Sequence, residues 1–126
     1  NELSFAELSV QIAEMPDWPA LLDGLGETWE LSKNAYKPYP GGVVIHPVID
    51  CMLDLRAQSL FKTEDIARIV VHGHPLLSER ANRPNIATGR EGQLSLQHSV
   101  AAAQIFGAAG IDQYTDACVN DPAVLC

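Results

Sequence analysis

A short loop over residues 33–47 holds the residue types that could act on a small acid. It carries three prolines and a Gly41–Gly42 pair, with Lys37 near its start and His46 near its end. Prolines restrict φ and glycines relax it, so this composition predicts an ordered loop. A lysine on such a loop offers a fixed positive charge, and glycine N–H groups can approach an anion closely. Together with a histidine, the loop could bind a di- or tricarboxylate and transfer a proton.

The candidate residues also have plainer explanations. A lone lysine in a loop is usually solvated, and a histidine before a proline often only caps a helix. His72 and His74 would share one face of a strand, which suits a metal, but no third ligand is evident nearby and we expect no metal site. Arg83 could hold a carboxylate bidentately, although an Arg-Pro pair is more often a structural corner.

The elements that must position these residues are predominantly helical. Apolar periodicity and capping residues predict helices over 4–15, 19–26, 47–59, 96–106 and 112–119. Residues 29–31 and 66–74 are predicted strands, the second closed by Pro75, and residues 76–93 are predicted to be irregular. The buried face of helix 47–59 is expected to hold Val48, Cys51, Met52 and Leu55. We therefore expect an α+β fold in which helices pack on a small β-sheet.

Composition and charge narrow the class of protein. The chain has 126 residues with 8 Lys and Arg against 16 Asp and Glu, which gives a net charge of −8. Its hydrophobic fraction of 47% is that of a globular domain rather than a disordered acidic tail. The acidic balance disfavours nucleic acid as a partner, and the apolar runs are too short to span a membrane. Three widely spaced cysteines without a CxxC pair predict reduced thiols and a cytoplasmic location.

Several motifs, in order along the chain, resemble the MmgE/PrpD family. Residues 25–50 resemble its LG…W…KxYP…H…ID segment, and residues 66–71 resemble the strand that follows. Arg83 and the proline after it resemble the family's RP element, and residues 93–101 resemble its FSxxY-VA helix. Two short stretches from residue 114 onward resemble the segment beyond that helix.

The resemblance implies a fold, a reaction and partners. The family includes 2-methylcitrate dehydratase, cis-aconitate decarboxylase and an iminodisuccinate epimerase, and its members combine a large helical domain with a smaller α+β domain, usually as dimers. Residues 1–126 would form the smaller domain alone, as one α+β domain and a fragment of a longer two-domain chain. The active site would lie between the two domains and would need no metal or other cofactor. We expect a lyase or isomerase that abstracts an α-proton from a small polycarboxylate, with this chain alone inactive. The alternative is a non-catalytic binding or dimerisation module.

The resemblance also assigns site residues. Lys37 matches the family's site lysine, which would hold a substrate carboxylate and stabilise negative charge as the α-proton leaves. His46 matches the histidine of the same motif and would shape the loop or assist proton transfer. The expected substrate-binding residues are Tyr39, Gly41, Gly42, Arg83 and His98. His98 stands where the family pattern has tyrosine, and Gly42 where some members, including the decarboxylase, have histidine. The sequence leaves dehydration, decarboxylation and epimerisation open.

Overall fold

The computed structural model describes residues 17–58 and 61–125. The chain divides into two compact units, residues 1–36 and residues 37–126. The helix predicted over residues 4–15 lies outside the described residues.

The described part of the first unit contains a short helix and a 3₁₀ turn. Helix α1 spans Trp18–Leu22 and the 3₁₀ turn spans Glu30–Lys33. The Asp17 carboxylate caps α1 by accepting the Ala20 N–H at 3.2 Å. The strand predicted over residues 29–31 is therefore wrong, because the chain there turns back on itself and Lys33 donates to Glu30 at 2.7 Å.

The second unit is built from five helices and three 3₁₀ turns in its described residues. The helices are α2 (His46–Ala57), α3 (Pro75–Ala81), α4 (Gly89–Gly92), α5 (Leu96–Phe106) and α6 (Asp116–Val119). The 3₁₀ turns are Val43–Ile45, Thr63–Asp65 and Ile111–Tyr114. The predicted last helix over 112–119 is divided in two, because Thr115 has extended backbone and caps α6 with its hydroxyl.

Helices α2 and α5 pack against each other and form most of the core. Helix α5 begins and ends where the sequence predicts, since the Ser95 hydroxyl accepts the His98 N–H and Gly107 closes the helix at a φ of +66°. Alanines on α5 let the two helices approach closely. The buried core consists of Ile45, Ile49, Met52, Ala81, Val100, Ala103, Ala109 and Tyr114.

The α+β prediction is wrong, because the described residues contain no strand and no sheet. Residues 66–71 have no regular secondary structure, and Val70 is more than half exposed. A run of branched residues favours a half-buried pleated surface, but it forms a ladder only beside a partner strand. No strand among the residues described here is available to pair with it.

Two local predictions around the helices are also wrong. Residues 76–93 are irregular only over 82–88 and at 93, because helices α3 and α4 occupy the rest. Pro75 begins α3, and His74 caps that helix by accepting the Leu76 N–H on Nδ1 at 3.2 Å. The buried face of α2 is narrower than predicted from its apolar residues: Met52 is buried, but Cys51 and Leu55 are exposed. The physical reason is that α5 covers only one side of α2.

Candidate functional site

Lys37 begins the second unit at the start of the proline-rich loop. Its side chain is exposed, and it makes no hydrogen bond or ion pair with any described residue. The positive charge of Lys37 is therefore available to a ligand from solvent. The residues that follow hold the loop in place through three separate contacts.

The first contact fixes Tyr39. Its hydroxyl donates to Asp50 Oδ1 at 2.5 Å, which ties the loop to the first turns of α2. The hydrogen bond to Asp50 raises the pKa of Tyr39 to about 12, with burial and the negative charge of Asp50 acting in the same direction. Tyr39 therefore stays protonated at neutral pH and serves as a donor to α2.

The second contact involves His46, the first residue of α2. The imidazole is buried, with its Nε2 3.3 Å from the Gly41 carbonyl oxygen and its ring edge-on to Tyr39 at a centroid distance of 5.4 Å. A carbonyl accepts only, so Nε2 carries the proton in this pair. His46 closes the loop onto the helix rather than capping it.

The third contact joins the glycine pair to a distant segment. The Gly42 N–H donates to the Gln93 carbonyl oxygen at 2.9 Å. A Cβ on Gly41 would lie 3.0 Å from the same oxygen, so the absence of a side chain permits this close approach. The Gly42 N–H is thus already occupied, whereas the Gly41 N–H donates to no described residue.

His98 lies inside the protein and is engaged there. Only 4% of its surface is exposed, and its Nε2 is 2.7 Å from the Gln113 carbonyl oxygen. Its ring packs edge-on against Tyr114 at 5.4 Å, and the Tyr114 hydroxyl donates to the buried Ser99. Burial raises the pKa of Tyr114. His98 therefore joins α5 to the segment before α6 and is not presented to solvent.

Arg83 lies at a different place. Its main chain is fixed, because its carbonyl accepts the Ser95 hydroxyl at 2.7 Å and its N–H donates to Gln97 Oε1 at 3.2 Å. Its side chain is exposed beside a small cleft of about 260 Å³. No hydrogen bond or ion pair among the described residues joins Arg83 to the loop of Lys37.

The structure thus brings together Tyr39, Gly41, Gly42 and His46. It engages His98 with Gln113 and Tyr114 instead, and it leaves Arg83 apart. Sequence reasoning missed Asp50 and Gln93, which hold the loop. Asp50 follows His46 by one helical turn, a spacing that could have suggested a shared face. Gln93 acts on Gly42 through its main-chain carbonyl, which no sequence pattern reveals.

Two apolar clefts lie elsewhere in the second unit, on either side of residues 66–74. One has a volume of about 620 Å³ and is bounded by α5, and the other has a volume of about 540 Å³ and is bounded by α2. Neither is lined by Lys37 or His46. These two clefts are therefore not where the residues suited to an acid are found.

The described residues contain no group of three or more His, Cys, Asp or Glu side chains able to hold a metal ion. His72 and His74 both line the 540 Å³ cleft, but His74 uses Nδ1 to cap α3. Within the same part of the chain, no helix has the length and apolar character needed to cross a membrane.

Comparison with protein families matches residues 39–125 to the MmgE/PrpD C-terminal domain. The matched range includes every predicted site residue except Lys37, which lies two positions before it. The chain matches no curated protein and no solved structure at a significant level.

Proposed function

Since the chain belongs to the MmgE/PrpD family as its C-terminal domain, we propose that it binds the substrate of a lyase or isomerase acting on a small polycarboxylate. The observation that carries this proposal is the position of Lys37. It is exposed and unpaired among the described residues, at the start of a loop that Asp50, His46 and Gln93 hold in place.

The role of Lys37 follows from the chemistry of α-proton removal. When a proton leaves the carbon next to a carboxylate, negative charge moves onto the carboxylate oxygens, and a fixed cation beside them stabilises the transition state. Gly41 is buried, but its N–H donates to no described residue, so we propose it as a second donor of the same loop. Both groups act by charge and hydrogen bonding, as the family's metal-independent reaction requires.

In our proposal, His46 positions the loop and does not transfer the substrate proton. It is buried and its Nε2 faces the Gly41 carbonyl oxygen, so a proton on it stays within the loop. The general base would then come from the helical domain that family members carry. We propose that this domain and a second copy of the chain are the protein partners. We also propose that the isolated chain is inactive and that the protein is cytoplasmic.

Binding by the 126-residue chain tests the substrate class. Thermal unfolding is followed with and without citrate, for the wild type, Lys37→Gln and Lys33→Gln. Lys33 is the matched control, because it is also exposed but paired with Glu30 at 2.7 Å. A ligand at 100 times its Kd stabilises by about 2.7 kcal/mol. We expect citrate to raise the melting temperature of the wild type and Lys33→Gln but not of Lys37→Gln.

Turnover tests the reaction. In a chain joined to the family's helical domain, dehydration of 2-methylcitrate, decarboxylation of cis-aconitate and epimerisation of iminodisuccinate are measured side by side. We expect one of the three, with dehydration favoured, and a fall of about 10²-fold or more in Lys37→Ala, the scale seen when one charge-stabilising donor is lost. Unchanged turnover in Lys37→Ala would reject this role.

One observation favours the non-catalytic alternative. The Gly42 N–H and the His98 imidazole, both expected to face a substrate, are engaged within the protein. A binding or dimerisation module would show citrate binding or self-association, with none of the three reactions in the joined chain.

A further inference from the structure

A second cation lies beside the Lys37 loop. Arg90 Nη1 donates to Gln93 Oε1 at 3.0 Å, and the carbonyl oxygen of the same glutamine accepts the Gly42 N–H at 2.9 Å. One residue therefore contacts both the arginine side chain and the glycine pair. This link places Arg90 next to the loop, although Arg90 is far from Lys37 in the sequence.

The backbone that carries Arg90 is held firmly. Helix α4 is short, but its Thr88–Glu91 capping box is complete, and the Gly89 N–H donates to Asp116 Oδ1 at 2.7 Å. A side chain on Gly89 would overlap the Tyr114 carbonyl oxygen, which shows how closely α4 lies against the segment before α6. Arg90 thus projects from a fixed position rather than from a mobile loop.

The charge of Arg90 is not neutralised within the described residues. Its side chain is exposed and makes no ion pair there. The neighbouring Glu91 carboxylate accepts the N–H groups of Ala87 and Thr88, and these bonds lower its pKa. A guanidinium has five N–H donors, and the bond to Gln93 uses one. The remaining donors can hold a carboxylate by two parallel hydrogen bonds.

We propose that Arg90 is a second carboxylate-binding residue of the site built on Lys37, so that the site selects acids with at least two carboxylates. Lys37 would hold the carboxylate beside the reacting carbon, and Arg90 would hold another. This inference rests on the proposed function and adds a reason for polycarboxylate preference. The hydrogen bond that Arg90 donates to Gln93 Oε1 orients the guanidinium for this task.

The test measures binding of acetate, succinate and citrate to the 126-residue chain at low ionic strength by calorimetry. The variants are Arg90→Gln, Arg90→Lys and Lys37→Gln, with Arg80→Gln as the matched control. Arg80 is also an exposed arginine on a short helix, and its guanidinium lies 3.5 Å from Glu79. Circular dichroism confirms that each variant is folded.

We expect Arg90→Gln to weaken succinate and citrate binding by about two- to fivefold, the range for an exposed ion pair, and to leave acetate binding unchanged. Arg90→Lys should recover part of the loss, because it keeps the charge but not the planar pair of donors. Arg80→Gln should match the wild type with all three acids.

The outcomes separate this inference from the proposed function. If Lys37→Gln weakens succinate binding and Arg90→Gln does not, Arg90 is not part of the site while the proposed function stands. If neither variant weakens it, or if succinate does not bind, both proposals are wrong. An equal loss for Arg80→Gln would show that only overall charge matters and would also overturn the role of Arg90.

Discussion

Replacing Ser95 with alanine should destabilise the second unit more than a typical helix-cap mutation does. Ser95 is fully buried, and its hydroxyl has two roles. It accepts the His98 N–H at 3.2 Å, which caps α5, and it donates to the Arg83 carbonyl oxygen at 2.7 Å. Because the Ser95 side chain is buried, both losses should appear in the free energy of unfolding.

The magnitude follows from these two bonds. Loss of an N-cap costs about 1 kcal/mol, and a hydrogen bond between neutral groups contributes about 1 kcal/mol. We therefore expect Ser95→Ala to lose about 2 kcal/mol, a large part of the roughly 5–15 kcal/mol that stabilises a domain. Since the core side chains are untouched, the denaturant dependence of the free energy should not change.

Urea unfolding followed by circular dichroism measures this loss. Ser78→Ala is the matched control, because Ser78 is exposed within α3 and its side chain makes no hydrogen bond with the described residues. The control should be unchanged or slightly more stable, since alanine is the better helix former. A loss below about 0.5 kcal/mol in Ser95→Ala would refute the assignment of two buried hydrogen bonds to this hydroxyl.

Three further substitutions test other contacts of the second unit. Gly89→Ala should cost about 3 kcal/mol or more in urea unfolding, because the new methyl group would overlap the main-chain oxygen of Tyr114. Tyr114→Phe should cost about 1 kcal/mol, since it removes the buried hydrogen bond to Ser99. Tyr39→Phe should change the pH dependence of stability. In the unfolded chain a tyrosine ionises near pH 10, whereas Asp50 keeps Tyr39 protonated to about 12, so wild-type stability should fall between these values more steeply than that of the variant.

Each of these substitutions has its own control or contradicting result. Gly110→Ala should leave stability nearly unchanged, because the nearest atom to its Cβ would be 3.5 Å away. If the two glycine variants are equally stable, the close packing of α4 is wrong. A Tyr114→Phe variant as stable as the wild type would mean that the hydroxyl has no stabilising partner. Parallel pH profiles for Tyr39→Phe and the wild type would show that the bond to Asp50 does not form.

The parts of the fold that the sequence predicts correctly are those controlled by neighbouring residues. Helix α5 has its predicted bounds because Ser95 caps one end and Gly107 takes left-handed backbone at the other. Helix α2 begins one residue before its predicted start, with Pro47 in its first turn, and ends within two residues of its predicted end. Capping groups act within three or four residues, so the local sequence is enough.

The predictions that are wrong concern residues whose conformation or burial depends on distant partners. Residues 66–71 have the composition of a strand, but a strand requires a second strand, and composition does not supply one. The exposure of Cys51 follows from where α5 lies, which the pattern of α2 alone does not reveal.

The same division holds for the candidate site. The sequence alone predicted the MmgE/PrpD family, which is confirmed over residues 39–125. It also predicted that the loop between Lys37 and His46 binds a small acid. Only the tertiary structure decided which of these groups face solvent. In the folded chain Lys37 is exposed, whereas His46 and His98 are both buried against main-chain carbonyls.

The physical reason is the distance along the chain over which each interaction acts. Residue type and short spacing determine helix caps, turns and the motifs of a family, because these involve neighbours. The bond between Gly42 and Gln93 joins residues about fifty positions apart, and through Gln93 it brings Arg90 beside the loop. Such contacts form only when the core around α2 and α5 has brought the segments together. The availability of a charged or polar group to a ligand is therefore a property of the folded chain.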